Sequence, residues 1–391
     1  MEGKRSNLAV IACFLLFIYA LFFVNLFKSS DELSFSERRR LAQFPELNAE
    51  TLLNADFMKG FDEYASDQIA FRDRWRSLKA YFDLNVLGKY DNNAIFVVGD
   101  MVFKTDYPIN HGSVRRLCGI INYCDEQFLE GLSVYYAVIP DKNYYLPDSP
   151  QLIMDYNELI DLIKENLKDN MEYIDLFGAL SLESYFLTDS HWRQDELSGV
   201  VAAISDGIGV GIPFDAAIYT PKTHAPFYGV FYGQAALHVR PDELVYLVSE
   251  TTENAVVRSL EKPGETLKVY DETALGGMDA YNLFMTGPAA VVTVDNPSGP
   301  VGRGLVIFRD SYASSLAPLL LEGYSTITLI DLRYIRPDLL KNSELVGEYV
   351  DFAGKDVLFM LSSTIFNSSD SVQSAPVEDF VSPFVARYRL S

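Results

Sequence analysis

The stretch Thr188-Asp189-Ser190-His191-Trp192-Arg193 holds one of four histidines and one of two tryptophans in a chain of 391 residues. Imidazole is the side chain best suited to accept or release a proton near neutral pH. A carboxylate two residues away in an extended or looped segment can take its N–H and fix its tautomer. Trp192 stands where it would shield the pair or pack beneath it. Two other readings of Asp-x-His stay open: part of a metal-ligand set, although no second clustered histidine accompanies it, or a structural histidine. His111, His224 and His238 have no such neighbours and read as loop or packing positions.

A proton acceptor needs something to deprotonate. In "GLVIFRDSYASSLAPLL" a short apolar run passes through Arg309 and Asp310 into a helical pattern, which places Ser311 at a strand-to-helix turn. In open α/β folds ligands gather at the carboxyl ends of strands. A helix start also offers unpaired N–H groups and a positive dipole end to a developing oxyanion. A serine hydroxyl is a weak nucleophile without a base. Ser311 is therefore the candidate nucleophile, His191 the candidate base and Asp189 the group that orients it. The alternative is that Asp310 or Ser311 merely caps the helix. Candidate oxyanion donors or substrate-binding residues are Lys142 in "IPDKNYYLP", Asn282 in "YNLF", Gly287 in "FMTGPA", Trp192 and Arg309. A solvated loop is the other reading of Lys142 and its neighbour Asn143. No metal ligand is assigned and no cofactor is expected.

The elements that must carry these residues alternate. "SVYYAVIP", "EYIDL", "GLVIFRD", "STITLIDLR" and "DVLFMLS" read as short buried strands, with helical patterns between several of them. Such alternation predicts an α/β fold with a mostly parallel sheet covered on both faces. Residues 212–300 break the rhythm with eight prolines and short runs such as "ELVYLV" and "AAVVTV", and are expected to form a β-rich insertion beside the sheet. "NNAIFVVGDMVFKT" reads as a hairpin turning near Gly99-Asp100. Upstream, Leu52, Leu53, Phe57, Phe61 and Tyr64, then Trp75, Leu78, Phe82 and Val86, recur at helical spacing and predict two amphipathic helices. The expected organisation is a tip and anchor over 1–28, a juxtamembrane helical segment over 29–88 and the α/β domain over 89–391.

Leu8 to Val24 is an unbroken apolar run that resumes at Leu26 and Phe27, long enough to cross a hydrocarbon core of roughly 30 Å. Its end is bulky rather than small-x-small, which favours an anchor over a cleaved signal. Lys4 and Arg5 before it, with Asp31 and Glu32 after it, predict a single-pass protein whose main domain lies outside the cytoplasm, against the opposing pull of Arg38, Arg39 and Arg40. The three cysteines show no metal spacing, and Cys118 and Cys124 read as buried apolar residues. A net charge of -22 disfavours nucleic acid and anionic lipid surfaces as partners.

As a set these motifs resemble the DHHW protein family, a branch of the SGNH-hydrolase-like proteins related to those that O-acetylate alginate. The resemblance runs from "ERRRLAQFPELNAETLLNADFMKGFDEYASDQIAFRDRW" through "NNAIFVVGDMVF", "VIPDKNYYLP" and "YFLTDSHWRQDE" to "VIFRDSYASSLAPLL" and "ITLIDLRYI". Here the name motif is Asp189-Ser190-His191-Trp192, with serine in place of the first histidine. Arg309 stands where typical SGNH enzymes have the glycine of Gly-Asp-Ser. The resemblance implies an SGNH-like three-layer fold and a triad of Asp189, His191 and Ser311. It also implies a polysaccharide substrate, with a multi-spanning membrane acyltransferase as the acetyl donor partner. O-acetyltransferase and esterase are both compatible with those three residues. The rival from another class is a non-catalytic glycan-binding or scaffold protein of an envelope polysaccharide complex.

Overall fold

A computed structural model describes residues 2–146, 152–237, 239–341 and 343–388. The chain divides into two compact units, Met1–Asn93 with Tyr232–His238, and Ala94–Phe231 with Val239–Ser391.

In the first unit, helix α1 (Glu2–Phe27) contains one stretch, Asn7–Phe27, long and apolar enough to cross a membrane. Of the residues expected on two helices, Leu52 and Leu53 fall in a short separate helix, Ala49–Leu53, while Phe57, Phe61 and Tyr64 lie on α2 (Asp56–Gln68) and Trp75 and Leu78 on α3 (Arg72–Tyr81), which Phe82–Val86 continues as a π-helical turn. Of the three arginines after the apolar run, Arg39 binds the Asp67 carboxylate through both terminal nitrogens. That pairing lowers the Asp67 carboxyl to about 2.

The second unit is organised by a seven-stranded sheet. Its strands are β1 (Val134–Ile139), β2 (Met171–Ile174), β3 (Val256–Ser259), β4 (Val291–Asp295), β5 (Gly304–Arg309), β6 (Thr326–Ile330) and β7 (Asp356–Ser362). They lie in the order β2-β1-β7-β5-β6-β4-β3. The first five are parallel, with pairs such as Phe308 opposite Phe359 and Ile330, while β4 and β3 add antiparallel strands at one edge. Alternate residues of each central strand serve different cores. Tyr135, Ala137, Leu305 and Ile307 join one buried cluster, and Val134, Tyr136, Val306 and Phe308 the other. Burial on both faces explains the continuous apolar runs.

The region expected as an insertion divides. Thr220–Phe227 and Asp242–Val248 form a separate antiparallel ribbon, whereas "VVRS" and "VVTVD" enter the main sheet as β3 and β4. The hairpin pairs Ile95–Val98 with Met101–Lys104. Cys118 and Cys124 are unpaired and buried on helix α4 (His111–Phe128), and burial pushes both thiols up to about 12.

Candidate active site

The parallel strands end together, and a cleft of ≈ 270 Å³ opens at their carboxyl ends. After β1 come Asp141, Lys142 and Asn143; after β5, Asp310, Ser311 and Tyr312; near the end of β6, Arg333; at the end of β7, Ser362. Side chains from four strands thus converge where open α/β sheets bind ligands.

Ser311 sits between β5 and helix α5 (Tyr312–Leu320) and makes no side-chain cap. Asp310 occupies that role instead. Its Oδ1 accepts the Tyr312 N–H at 3.1 Å, and its Oδ2 accepts the Ser362 N–H at 2.8 Å. The Ser311 hydroxyl is left to His191, whose Nε2 lies 2.7 Å from it. On the other side of the ring, His191 Nδ1 is 2.6 Å from Asp189 Oδ1. A carboxylate only accepts, so Nδ1 carries the proton and Nε2 accepts the Ser311 O–H.

Asp189 is fully buried and held in place from several directions. Its Oδ1 also accepts the His191 backbone N–H at 3.0 Å, and its Oδ2 accepts the Val230 N–H at 2.7 Å. The neighbouring turn is fixed by Asp242, whose carboxylate accepts the N–H groups of Leu187 and Thr188 at 2.6 and 2.8 Å and the Thr188 hydroxyl at 2.5 Å. Gly229 lies so close to this turn that a Cβ there would sit 2.3 Å from the Thr188 carbonyl and 2.4 Å from Asp189 Cα.

Lys142 is neither solvated nor a donor waiting for an oxyanion. It is only 2% exposed, and its Nζ donates to the carbonyls of Phe186, Leu187 and Asp189 at 3.0, 3.3 and 2.9 Å. The rings of Phe103 and Phe231 flank it, each 5.2 Å away. Burial lowers its amine to about 7, against the pull of Asp189, Asp242 and Asp141. Asn143 is likewise buried.

Trp192 packs edge-on against Tyr312, the residue after Ser311. Fully buried, it donates its indole N–H to the Tyr312 carbonyl at 3.0 Å and to Ser315 Oγ at 2.9 Å. The Tyr281 ring stacks on the imidazole at 3.9 Å between centroids and donates its hydroxyl to Ser315 at 2.9 Å.

The remaining candidates lie elsewhere. Asn282 and Gly287 adjoin each other, and neither lines the cleft. The contact to His191 in that segment comes from Tyr281, one residue earlier. Arg309 is buried away from the cleft lining and donates to Ser314 Oγ at 2.7 Å. Burial lowers its pKa. At the helix start the Tyr312 N–H is already taken by Asp310. Of the other histidines, His111 pairs with Glu158 at 2.9 Å, His224 lies on the Thr220–Phe227 strand, and His238 lies outside the described residues.

No protein-family model and no curated protein matches the chain. Among solved structures it is similar to a DHHW family protein from Eubacterium siraeum, at 21% identity and a TM-score of 0.57, over 74% of this chain and 95% of that one. The fold is that of a DHHW family protein. PatB1 of Bacillus cereus is also similar, at 18% identity and a TM-score of 0.55. Its structure with a sulfonyl adduct covers 71% of this chain and 97% of its own, and its structure without one covers 72% and 99%.

Within this DHHW-like fold the serine at the second position of the name motif contributes through its hydroxyl, 3.4 Å from Asp189 Oδ1, and through its backbone. The Ser190 carbonyl accepts the Tyr312 hydroxyl at 2.6 Å, a bond that any residue at 190 can offer. Sequence reasoning passed over Asp242, Gly229, Tyr281 and Tyr312. Asp242 and Gly229 lie 54 and 41 residues from Thr188, and no local spacing connects them to it.

Proposed function

We propose that this chain is an acyl-transfer enzyme of SGNH type, anchored by α1, with a three-layer α/β body outside the cytoplasm. Its reaction is O-acetylation or deacetylation of a cell-surface or wall polysaccharide. The observation that carries the reading is the unbroken series from Asp189 through His191 to an uncapped Ser311 hydroxyl lining the cleft. These separations fall within the reach required of a nucleophile, its base and the group that orients the base.

His191 Nε2 takes the proton as Ser311 Oγ attacks the acyl carbonyl. The resulting imidazolium is stabilised by Asp189, which stays ionised. Collapse of the tetrahedral intermediate expels the donor's leaving group, protonated by His191, and leaves the acyl group on Ser311. In the second half a sugar hydroxyl gives its proton to the same nitrogen and attacks the acyl-serine, and Ser311 recovers its hydrogen as it leaves. Water in the sugar's place makes the reaction a hydrolysis. A multi-spanning membrane acyltransferase is the proposed source of the acetyl group. PatB1, which shares the fold, has been solved with a sulfonyl adduct. The same class of electrophile is a fitting probe here.

The deciding experiment is intact-mass analysis after treatment with a fluorophosphonate or an acetyl ester. Stoichiometric modification of wild type, lost in Ser311→Ala, is expected. An unmodified wild-type protein that still binds glycans would establish the scaffold reading instead.

A further inference from the structure

Three carboxylates line the cleft beside Ser311, and they differ in what their oxygens do. Asp141 is fully engaged: it accepts the Tyr156 hydroxyl at 2.6 Å, the Ser363 hydroxyl at 3.0 Å and the Asn143 N–H at 2.8 Å. Asp310 uses both oxygens on the backbone N–H groups of Tyr312 and Ser362. Asp106 uses one. Its Oδ1 accepts the Asn367 amide at 2.7 Å, while its Oδ2 is buried with no hydrogen-bond partner among the described residues.

A second acceptor in the same cleft is idle. Asn143 is 6% exposed, and its Nδ2 donates to the Lys104 carbonyl at 2.8 Å. That bond fixes which way the carboxamide points. It leaves Oδ1 as an acceptor, also buried and without a partner among the described residues. Because Lys104 stands two residues before Asp106, the same bond ties Asn143 to the chain segment that carries Asp106. A buried acceptor left unpaired costs about 1–3 kcal/mol. Two such atoms in a cleft that also holds the Ser311 hydroxyl are accounted for by a ligand that brings its own donors.

We propose that Asp106 Oδ2 and Asn143 Oδ1 form the acceptor subsite, and that it takes an uncharged sugar unit through two of its hydroxyl groups. The inference rests on the acyl-transfer reading and narrows its substrate to a neutral hexose or N-acetylhexosamine rather than a uronate. Both atoms accept, so the ligand must donate. A uronate carboxylate would bring a further negative charge beside Asp106 and Asp141. The cations of the cleft offer it little: Arg333 is committed to Asp331 through Nε and Nη2 at 2.8 and 2.6 Å, and Lys142 to three carbonyls. Lys104 remains, with its side chain in solvent.

The test uses full-length protein in detergent carrying Ser311→Ala, so that nothing turns over. Binding is measured by calorimetry with neutral pentasaccharides of glucose and of N-acetylglucosamine and with a galacturonate pentasaccharide. The expected result is binding of at least one neutral sugar, no binding of the uronate, and a rise in Kd of at least tenfold on adding Asp106→Asn or Asn143→Ala. Asp106→Asn places an N–H₂ where the idle oxygen stands and inverts its preference. Uronate binding equal to or tighter than neutral binding overturns the proposal, as does an absence of neutral binding or unchanged affinity in both variants. The sugar preference of the Ser311→Ala protein needs no further substitution, so a variant that fails to fold does not remove the test. Fluorophosphonate labelling of wild type, run in parallel, separates failure of the subsite from failure of the acyl-transfer reading.

Discussion

Trp192 donates its indole N–H to the carbonyl oxygen of Tyr312, so the residue after the imidazole is bonded to the residue after the Ser311 hydroxyl. The Tyr312 hydroxyl returns the contact to the Ser190 carbonyl, and Gln194 Nε2 adds a bond to the Ser315 carbonyl at 2.6 Å. The loop holding His191 is thereby laced to the helix that begins beside Ser311. Small misplacements of reacting groups cost large factors in rate. On the acyl-transfer reading the lacing is therefore part of the chemistry.

Trp192→Phe keeps the packing and removes the donor. The Ser315 hydroxyl keeps the Tyr281 hydroxyl and the Tyr312 carbonyl keeps the Ser315 hydroxyl, so only the indole bond is lost and stability should fall by about 0.5–1.5 kcal/mol in denaturant titrations. Ester kcat should fall with little change in KM, because the spacing between His191 and Ser311 loosens. Unaltered stability and kcat would show that the indole bond is idle.

Asp189→Asn should leave the fold recognisable by near-ultraviolet circular dichroism while reducing kcat by about 10³–10⁴-fold. An amide presents an N–H₂ either to the imidazole, with the wrong tautomer as the consequence, or to the Val230 N–H that Oδ2 now accepts. A loss below tenfold would remove Asp189 from the proton relay.

Gly229→Ala tests the close approach behind the carboxylate. The added carbon would meet backbone at Thr188 and Asp189, which cannot swing aside as a side chain can. The bonds from the Gly229 N–H to Thr188 Oγ1 and from the Val230 N–H to Asp189 Oδ2 would both stretch. A drop of several degrees in Tm and strong loss of Ser311 labelling are expected, read by calorimetry and mass spectrometry.

Lys142→Met removes a buried amine whose pKa is lowered by desolvation to about 7. The unfolded chain holds that proton up to about 10.4. Between these values the unfolded state binds more protons, so this group makes stability rise as pH increases through that window and fall as pH drops toward 7. Wild-type Tm should therefore climb more steeply than that of Lys142→Met between pH 7.5 and pH 9.5 (about two-thirds of the window). The variant should also be less stable, because the carbonyls of Phe186 and Asp189 lose the amine, whereas that of Leu187 keeps the Val102 N–H. Parallel Tm profiles would mean that the amine keeps its ordinary proton affinity.

β1, β5 and β7 are legible in the sequence because they are buried on both faces and read as nearly unbroken apolar runs, whereas the edge strand β2 carries an exposed Glu172. β3 and β4 are not, since prolines and loops surround them and nothing local says that "VVTVD" pairs with β6. The Asp189, His191 and Ser311 constellation is legible through residue type and the strand-to-helix turn. Its supports are not: Lys142 in a polar loop looks solvated until the turn over Phe186 to Asp189 covers it, and Tyr281 reaches the imidazole from 90 residues away in sequence. Asn282 and Gly287 were plausible by type, yet burial turns their segment so that the neighbouring tyrosine faces the ring.

The imidazole and the hydroxyl it touches are 120 residues apart in the chain. On the acyl-transfer reading, Ser311 is activated only once the loop after β2 has met the turn after β5. A nascent or misassembled copy is on that reading chemically mute, and covalent labelling of Ser311 is expected to report the fraction of molecules whose sheet has closed correctly.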